Sequence, residues 1–302
     1  MGPTGVGKTD LAIDLFQQIQ IDIISVDSVQ VYKNLDIGSG KPSKDELRSY
    51  PHHLIDILEP SEKYSTAKFQ SDCLDCINRA FESNKIPVLV GGTMMYFNHL
   101  INGISRLPSV SSEIRSAVEK EFEEKGAIEM HNYLKIIDPE SSSKIHPNDS
   151  QRIKRAIEVF EETGKEFSSW KIEYKREISN LVETSKVIQI AIRPSDKTLH
   201  RDSVATRFKN MIDKGLIEEV EKILSLNNMS RNAQSMKSVG YKQVCDFLEG
   251  DISLDDMISK SINATRQLAK RQMTWINNWE GLTVLESNSK LSSSVKNMVL
   301  NK

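Results

Sequence analysis

Over the first hundred residues, apolar and polar positions fall into alternating helix-like and strand-like blocks. Leu11, Ile13, Leu15 and Phe16 make a helix-compatible stretch, and residues 21–26 form a short apolar run that ends at Asp27. Residues 65–82 read as a helix leading into Ile86-Pro87-Val88-Leu89-Val90, a buried strand closed by Gly91-Gly92. Strands alternating with helices predict parallel βαβ units. From about 107 to 183 the pattern turns charged, helical and strand-poor. One helix there is well marked: Ile153, Ala156, Ile157 and Phe160 lie at i, i+3, i+4 and i+7, with Asn148, Asp149 or Ser150 as cap candidates. The run 187–192 is strand-like, and 199–279 is helical again with a break at Gly240-Tyr241. The expected organisation is an α/β core from 1–104 and 186–286 that includes C-terminal helices, a helical insertion at 105–185, and a disordered tail at 287–302, where Ser, Asn and Lys dominate.

Composition narrows the class without choosing a partner. With 302 residues, 38% of them hydrophobic and 27% charged, the chain can bury a substantial core. A net charge of -2 neither requires nor forbids nucleic acid, so where Lys and Arg cluster matters more than their number. Three cysteines speak against a disulfide framework and for a reducing compartment. No apolar run reaches the roughly 18 residues of a membrane span. Met1-Gly2 is followed by Val6 rather than Ser or Thr at the sixth position, so no myristoylation signal is present. A cytoplasmic, monomeric protein is expected, with no membrane association.

The strongest motif is Gly2-Pro3-Thr4-Gly5-Val6-Gly7-Lys8-Thr9, which fits G-x-x-x-x-G-K-[ST] at every fixed position. Its glycines let successive N–H groups point into one concavity, Lys8 adds a charge, and a helix N-terminus adds its dipole. Such a loop holds a diphosphate whatever is attached to it, and it makes the expected core a P-loop-type parallel sheet. A P-loop normally follows an interior strand, yet only Met1 stands before Gly2. Either the true start lies upstream or the protein is a natural truncation, and the first reading is favoured because the rest of the motif set is intact. An empty slot or an unsupported N-terminus is therefore expected beside the strand ending at Asp27, and an apolar extension of about six to ten residues would fill it. An NTPase also needs an Asp at the end of a second apolar strand for Mg²⁺. Asp27 is the only carboxylate so placed, since the strand 86–90 ends in Gly91-Gly92-Thr93, and no guanine-specifying Asn-Lys-x-Asp occurs. Phosphate binding is favoured over nucleotide hydrolysis.

Several longer segments carry a family resemblance. Beyond the first loop they are Asp27-Ser28-Val29-Gln30-Val31-Tyr32 continuing to Gly38-Ser39-Gly40-Lys41-Pro42, then His52-His53-Leu54-Ile55-Asp56, and Val90-Gly91-Gly92-Thr93-Met94-Met95-Tyr96. Gln151-Arg152-Ile153-Lys154-Arg155, Lys237-Ser238-Val239-Gly240-Tyr241-Lys242-Gln243 and the run from Thr265-Arg266 to Arg271-Gln272 follow in order. Along nearly its whole length the chain resembles the tRNA dimethylallyltransferases, also called tRNA isopentenyltransferases. The resemblance implies transfer of a dimethylallyl group from dimethylallyl diphosphate to N6 of adenosine at tRNA position 37, with Mg²⁺, of which Thr9 would be a ligand. It further implies Asp27 as general base, Thr93 beside the adenine, and Gly2 through Thr9 on the diphosphate. Contacts to the tRNA anticodon stem-loop would come from Asp27, Ser28, Val29, Gln30, Thr93 and Arg115, from Gln151, Arg152, Ile153, Lys154 and Arg155, and from Lys237, Ser238, Val239, Gly240, Tyr241 and Lys242.

The residues taken alone leave blander readings open. Asp27 could be a turn or N-cap residue, and Gly-Gly-Thr also serves as a plain strand-to-helix turn. Arg152 and Arg155 could belong to a solvated helix face diluted by Glu158, Glu161 and Glu162. The stretch 230–243 contains no Asp or Glu, which makes Arg231, Lys237 and Lys242 better candidates for a phosphate path. Arg201 and Arg207 could assist at the diphosphate, whereas Arg266, Lys270 and Arg271 read as the polar rim of a helix. Cys73 and Cys76 read as helix packing rather than metal ligands, His52 and His53 as structural, and Met94 to Phe97 as core. Three rivals stand beside the transferase: a small-molecule P-loop kinase, a prenyltransferase acting on free adenine nucleotides, and a catalytically dead RNA-binding relative.

Overall fold

The computed structural model describes residues 1–103, 107–170, 187–288 and 290–300. The chain divides into two units, 1–101 with 178–302 and 102–177. The end of the insertion expected near 185 lies outside the described residues.

In the first unit, β1 (Ile21–Val26) is the middle strand of a parallel sheet between β2 (His52–His53) and β3 (Ile86–Gly91). Alternation along β1 sends its side chains to both faces. Ile21 and Ile23 join the apolar cluster of α1 (Lys8–Phe16), with Ala12 and Leu15, while Ile24 and Val26 join Phe69, Cys73 and Cys76. Those last residues belong to α3 (Thr66–Glu82), capped by Ser65, whose hydroxyl accepts from Lys68 N at 3.1 Å. Helices on both faces explain why β1 is apolar almost throughout. The short helix α2 (Lys44–Ser49) precedes β2, and α4 (Met94–Asn102) follows β3. Tyr96 and Phe97 of α4 are core as expected, but Met95 is exposed.

A second parallel pair joins β4 (Ile190–Arg193) to β5 (Thr283–Glu286). The strand expected from residue 187 starts at 190. β5 was not expected, because a four-residue strand after Gly281 leaves little periodic signal. The helices α8 (Lys197–Asp213), α9 (Leu216–Leu224), α10 (Tyr241–Leu248) and α11 (Leu254–Asn277) complete this unit together with the tail. Gly240, at φ 92°, makes the expected break.

Two expectations need correction. Residues after 287 do not form a disordered tail: α12 (Leu291–Leu300) buries Leu291 and Val295 in the cluster of Leu15 and Ile192. The stripe Leu291, Val295, Val299 is hidden in sequence by the Ser and Asn around it. No empty slot lies beside β1, which is paired on both edges. Met1 does not hang free either, since its N–H donates to Ile190 O at 2.8 Å and its carbonyl accepts from Ile192 N at 2.9 Å.

The second unit is helical, and no strand occurs among its described residues. α5 (Ser112–Ile137) is interrupted at Gly126, then α6 (Pro139–Lys144) and α7 (Ser150–Thr163) follow. The predicted stripe of α7 is its core face, with Ile153, Ala156 and Ile157 packed against Val118, Met130 and Leu134 of α5. Asp149 is the cap, accepting from Arg152 N at 3.2 Å. Among the described residues, no helix is long and apolar enough to cross a membrane.

Candidate active site

Register decides where the chemistry sits. Ile21 pairs with Ile86 and Val26 with Gly91, so β1 and β3 end at one level and place Asp27 beside Gly92-Thr93. Carboxyl ends of parallel strands are where open α/β sheets bind ligands. Thr93 N donates to Val26 O at 3.2 Å, and Thr93 Oγ1 accepts from Ser28 N at 3.2 Å. A Cβ on Gly91 would overlap the Val26 carbonyl, so only glycine permits this approach. Asp27 Oδ1 accepts from Val29 N at 2.8 Å and Gln30 N at 3.2 Å, a side-chain turn that pins the carboxylate. The turn-residue role and a chemical role are therefore compatible: the turn aims the group.

Thr4 through Thr9 of the first loop border the same cleft, which encloses about 420 Å³, while Gly2 and Pro3 are not among its walls. Gly7, at φ 84°, hands the loop to α1 in a left-handed conformation that glycine tolerates best. Val6 points inward to the core, so its contribution to the loop is backbone only. Lys8 Nζ donates to Pro3 O at 2.7 Å. Burial pushes the Lys8 ammonium down to about 8, against the pull of Asp27 and with the help of the Arg207 charge. Arg207, from α8, donates to Thr4 Oγ1 at 3.2 Å, and burial lowers its guanidinium too, again opposed by Asp27. Two cations are thus held partly desolvated around one carboxylate, a costly arrangement without an anionic ligand.

Two further residues hold this geometry. Gln272 of α11 is buried and accepts from Thr4 N at 2.8 Å while donating to Gly92 O at 2.9 Å, which ties the loop to the Gly-Gly-Thr turn. Glu219 of α9 accepts from Asp36 N, Ile37 N and Gly38 N at 3.0, 2.7 and 3.1 Å. The Tyr241 hydroxyl donates to Glu219 at 2.7 Å and accepts from Ser39 N at 3.1 Å, so four consecutive amides of the 36–39 loop are fixed. That loop forms another wall of the cleft, and Gln30 Nε2 reaches Gly40 O at 3.4 Å.

The family model for IPP transferase matches residues 30–279. The chain belongs to the IPP transferase family. A solved tRNA isopentenylpyrophosphate transferase from Bacillus halodurans is 31% identical over 99% of this chain and 94% of its own, with a TM-score of 0.71. The tRNA delta(2)-isopentenylpyrophosphate transferase of Staphylococcus epidermidis is also 31% identical, covering 100% and 96%, at 0.69. A eukaryotic dimethylallyltransferase acting on tRNA is 25% identical over 100% of this chain and 78% of its own, with a TM-score of 0.76.

In this IPP transferase the other expected residues divide sharply. Val239 and Gly240 line the cleft, while Lys237 and Lys242 are exposed beside them in sequence. Tyr241 and Ile153 are fully buried, so as tRNA contacts their side chains are excluded: one clamps the 36–39 loop, the other is core of the helical unit. Arg115, Gln151 and Arg152 are exposed. Arg152 pairs with Asp149 at 3.4 Å, Lys154 with Glu119 at 2.8 Å, and Arg155 with Glu158 at 3.4 Å. Arg231 is bound by Asp246 at 2.5 Å and by Glu249 and Asp251, so its acid-free stretch of sequence is neutralised from outside. Arg201 is exposed, and its carbonyl takes the Arg266 guanidinium at 3.3 Å.

His200, Gln272 and Glu219 were given no role at the sequence level. His200 Nε2 lies 2.9 Å from Thr4 O. The signal for Gln272 was present, because Ala269, Gln272 and Ile276 share the inward stripe of α11 and a polar residue on such a stripe needs partners. Among the described residues, no group of three or more His, Cys, Asp or Glu could hold a metal by itself. Thr9 lines the cleft, and its hydroxyl suits a Mg²⁺ ion that takes one or two protein ligands beside substrate phosphate.

Proposed function

We propose that this IPP transferase moves a dimethylallyl group from dimethylallyl diphosphate to N6 of the adenosine at tRNA position 37, beside the anticodon. The C1–O bond of the donor breaks with its electron pair going to diphosphate, and a bond from N6 to C1 forms. The N6 proton passes to Asp27. Adenine N6 is a weak nucleophile, so the leaving group must be stabilised as its charge develops. The amides of the 4–9 loop, Lys8 and Arg207 do this, and the desolvation of both cations strengthens their attraction to the anion. Asp27 uses Oδ1 for its turn, which leaves Oδ2 to take the proton. Thr93 positions the base ring, its hydroxyl held by Ser28 N. Mg²⁺, held by Thr9 and the donor phosphates, would supply further neutralisation of the diphosphate.

The observation that carries this reading is the meeting of Asp27, Lys8 and Arg207 around one cleft, with Thr93 bound to Ser28 N next to Asp27. Transfer of a labelled dimethylallyl group to bulk tRNA tests it. Incorporation dependent on tRNA is expected; phosphate release from ATP without tRNA, or prenylation of free adenine nucleotide in its place, would overturn it. Arg115, Arg152, Lys154 and Arg155 of the helical unit, and separately Lys237 and Lys242 of the first unit, supply basic side chains for the tRNA backbone, and Gln151 supplies a neutral hydrogen-bonding group.

A further inference from the structure

The loop 36–41 is anchored at both ends by side chains that the transfer chemistry does not use. At its start three amides donate to the Glu219 carboxylate, and the Tyr241 hydroxyl links that carboxylate to Ser39 N. At its end the Lys41 side chain is buried, and its ammonium donates to Asp36 at 2.7 Å, Asp56 at 2.5 Å and Tyr32 O at 3.0 Å. Between these anchors Gly40, at φ 61°, closes a turn by donating from its N–H to Ile37 O at 3.0 Å. A loop held from so many sides has one conformation to offer its neighbours.

The neighbour that meets Gly40 is Arg207. A Cβ on Gly40 would fall onto the guanidinium, with Cζ 3.0 Å away, so the side chain rests directly on bare backbone. On the other side Arg207 Nη1 donates to Thr4 Oγ1 at 3.2 Å. The guanidinium is therefore wedged between the phosphate loop and Gly40. An arginine gives up rotamer freedom when it grips an anion, and a seat that fixes it beforehand removes that cost from binding. We propose that Gly40 is the seat of Arg207, and that Glu219 is a positioning residue for the diphosphate site acting through that seat. Glu219 fixes the 36–38 backbone, the turn carries this to Gly40, and Gly40 holds the guanidinium against Thr4. The inference rests on the reading of Arg207 as a ligand of the donor's diphosphate. Glycine is required at 40 for the side chain it lacks, because any Cβ there would push the guanidinium off its place.

Double-mutant cycles with inorganic diphosphate as the probe, measured by calorimetry on the full chain, test this without tRNA or prenyl transfer. Gly40→Ala and Glu219→Gln should each weaken diphosphate binding about tenfold while Arg207 is present. In an Arg207→Ala background each should weaken it by less than about twofold. Alanine at a positive φ is strained, and that strain acts in both backgrounds, so the cycle removes it. Glu219→Gln keeps the size of the side chain but sets an NH₂ group against donors, and it carries the test if Gly40→Ala does not fold. Equal losses with and without Arg207 would overturn the proposal, since the loop would then act as a mere wall. Undiminished affinity in Gly40→Ala, Glu219→Gln or Arg207→Ala alone would overturn it as well. If only the transferase reading is wrong, labelled transfer to tRNA is absent while the cycles keep their pattern.

Discussion

The active-site cleft and the helix α7 both carry basic residues that suit a phosphate, but they hold them in opposite ways. In the cleft, Lys8 and Arg207 are desolvated and share one fixed carboxylate, Asp27, so their charge is costly until an anion arrives. On α7, Arg152, Lys154 and Arg155 each have a carboxylate of their own; the Arg152 pair is open to water, while Lys154 and Arg155 are half-buried. Surface pairs of this kind contribute ~0–1 kcal/mol and can exchange partners readily. The contrast separates chemistry from grip: the cleft has preorganised charges, while α7 has charges that must first be released.

Asp27→Asn strikes the cleft hardest. The amide oxygen can still accept the two turn hydrogen bonds, so the shape persists while the base is lost. Single-turnover transfer should fall by about 10² or more with tRNA affinity little changed. Near-normal transfer would remove Asp27 from the base role and leave it a turn residue.

Gln272→Leu comes next. It leaves Thr4 N–H and Gly92 C=O without their present partners, at a cost of ~1–3 kcal/mol for each buried group. A lower Tm and an order-of-magnitude weaker affinity for inorganic diphosphate are expected, with tRNA affinity little changed. An unchanged diphosphate affinity would show that the loop holds its curvature without this tie.

This pair also marks what could be read from the sequence. The 2–9 loop was legible because backbone constraints demand glycines at fixed spacings, and Asp27 as a turn residue at a strand end, while the chemical roles of Asp27 and Thr93 came from the family resemblance alone. The inward stripe of α11 marks Gln272 as a buried polar residue in need of partners. Which backbone groups Gln272 and Glu219 hold was not legible, because those groups lie 180 residues or more away in the chain. The α/β core followed from periodicity, the cap of α7 was narrowed by residue type to Asn148, Asp149 or Ser150, and the break at Gly240 followed from the glycine itself. The tail helix was missed because three apolar side chains at spacing four were outnumbered by polar neighbours, and burial against Leu15 depends on the tertiary fold.

The pH dependence of diphosphate binding should show a smaller effect. With the free enzyme's Lys8 at about 8, the ammonium is present below that pH and is lost above it. Binding above pH 8 must then take up a proton, so affinity should weaken by up to about tenfold at pH 9 relative to a variant that stays charged. Lys8→Arg is that variant, and taking the ratio of the two cancels the titration of diphosphate itself. Stability has the opposite sign: the unfolded chain binds the proton more tightly, so the native state gains stability as pH rises from 8 toward 10.5. Parallel binding curves for the two proteins would mean that Lys8 is not desolvated as the cleft implies.

The smallest effect sharpens the comparison most. Lys237 and Lys242 are exposed and, among the described residues, are in no ion pair, whereas Arg152 and Lys154 are paired. If all four meet tRNA phosphates, removing either unpaired lysine should flatten the log–log salt dependence of tRNA binding by ~0.7, the full contribution of one single-strand phosphate contact. Removing Arg152 or Lys154 should flatten it less, because each must give up Asp149 or Glu119 in order to bind. The variants Asp149→Asn and Glu119→Gln provide the converse: by freeing the cation in advance they should raise tRNA affinity at low salt. Asp149 also caps α7, and Asn keeps that cap, so the affinity change would reflect charge rather than helix stability. Identical slopes for the paired and unpaired residues would mean that surface pairing costs nothing here. An unchanged slope across all four alanine variants would place the tRNA backbone elsewhere on the molecule.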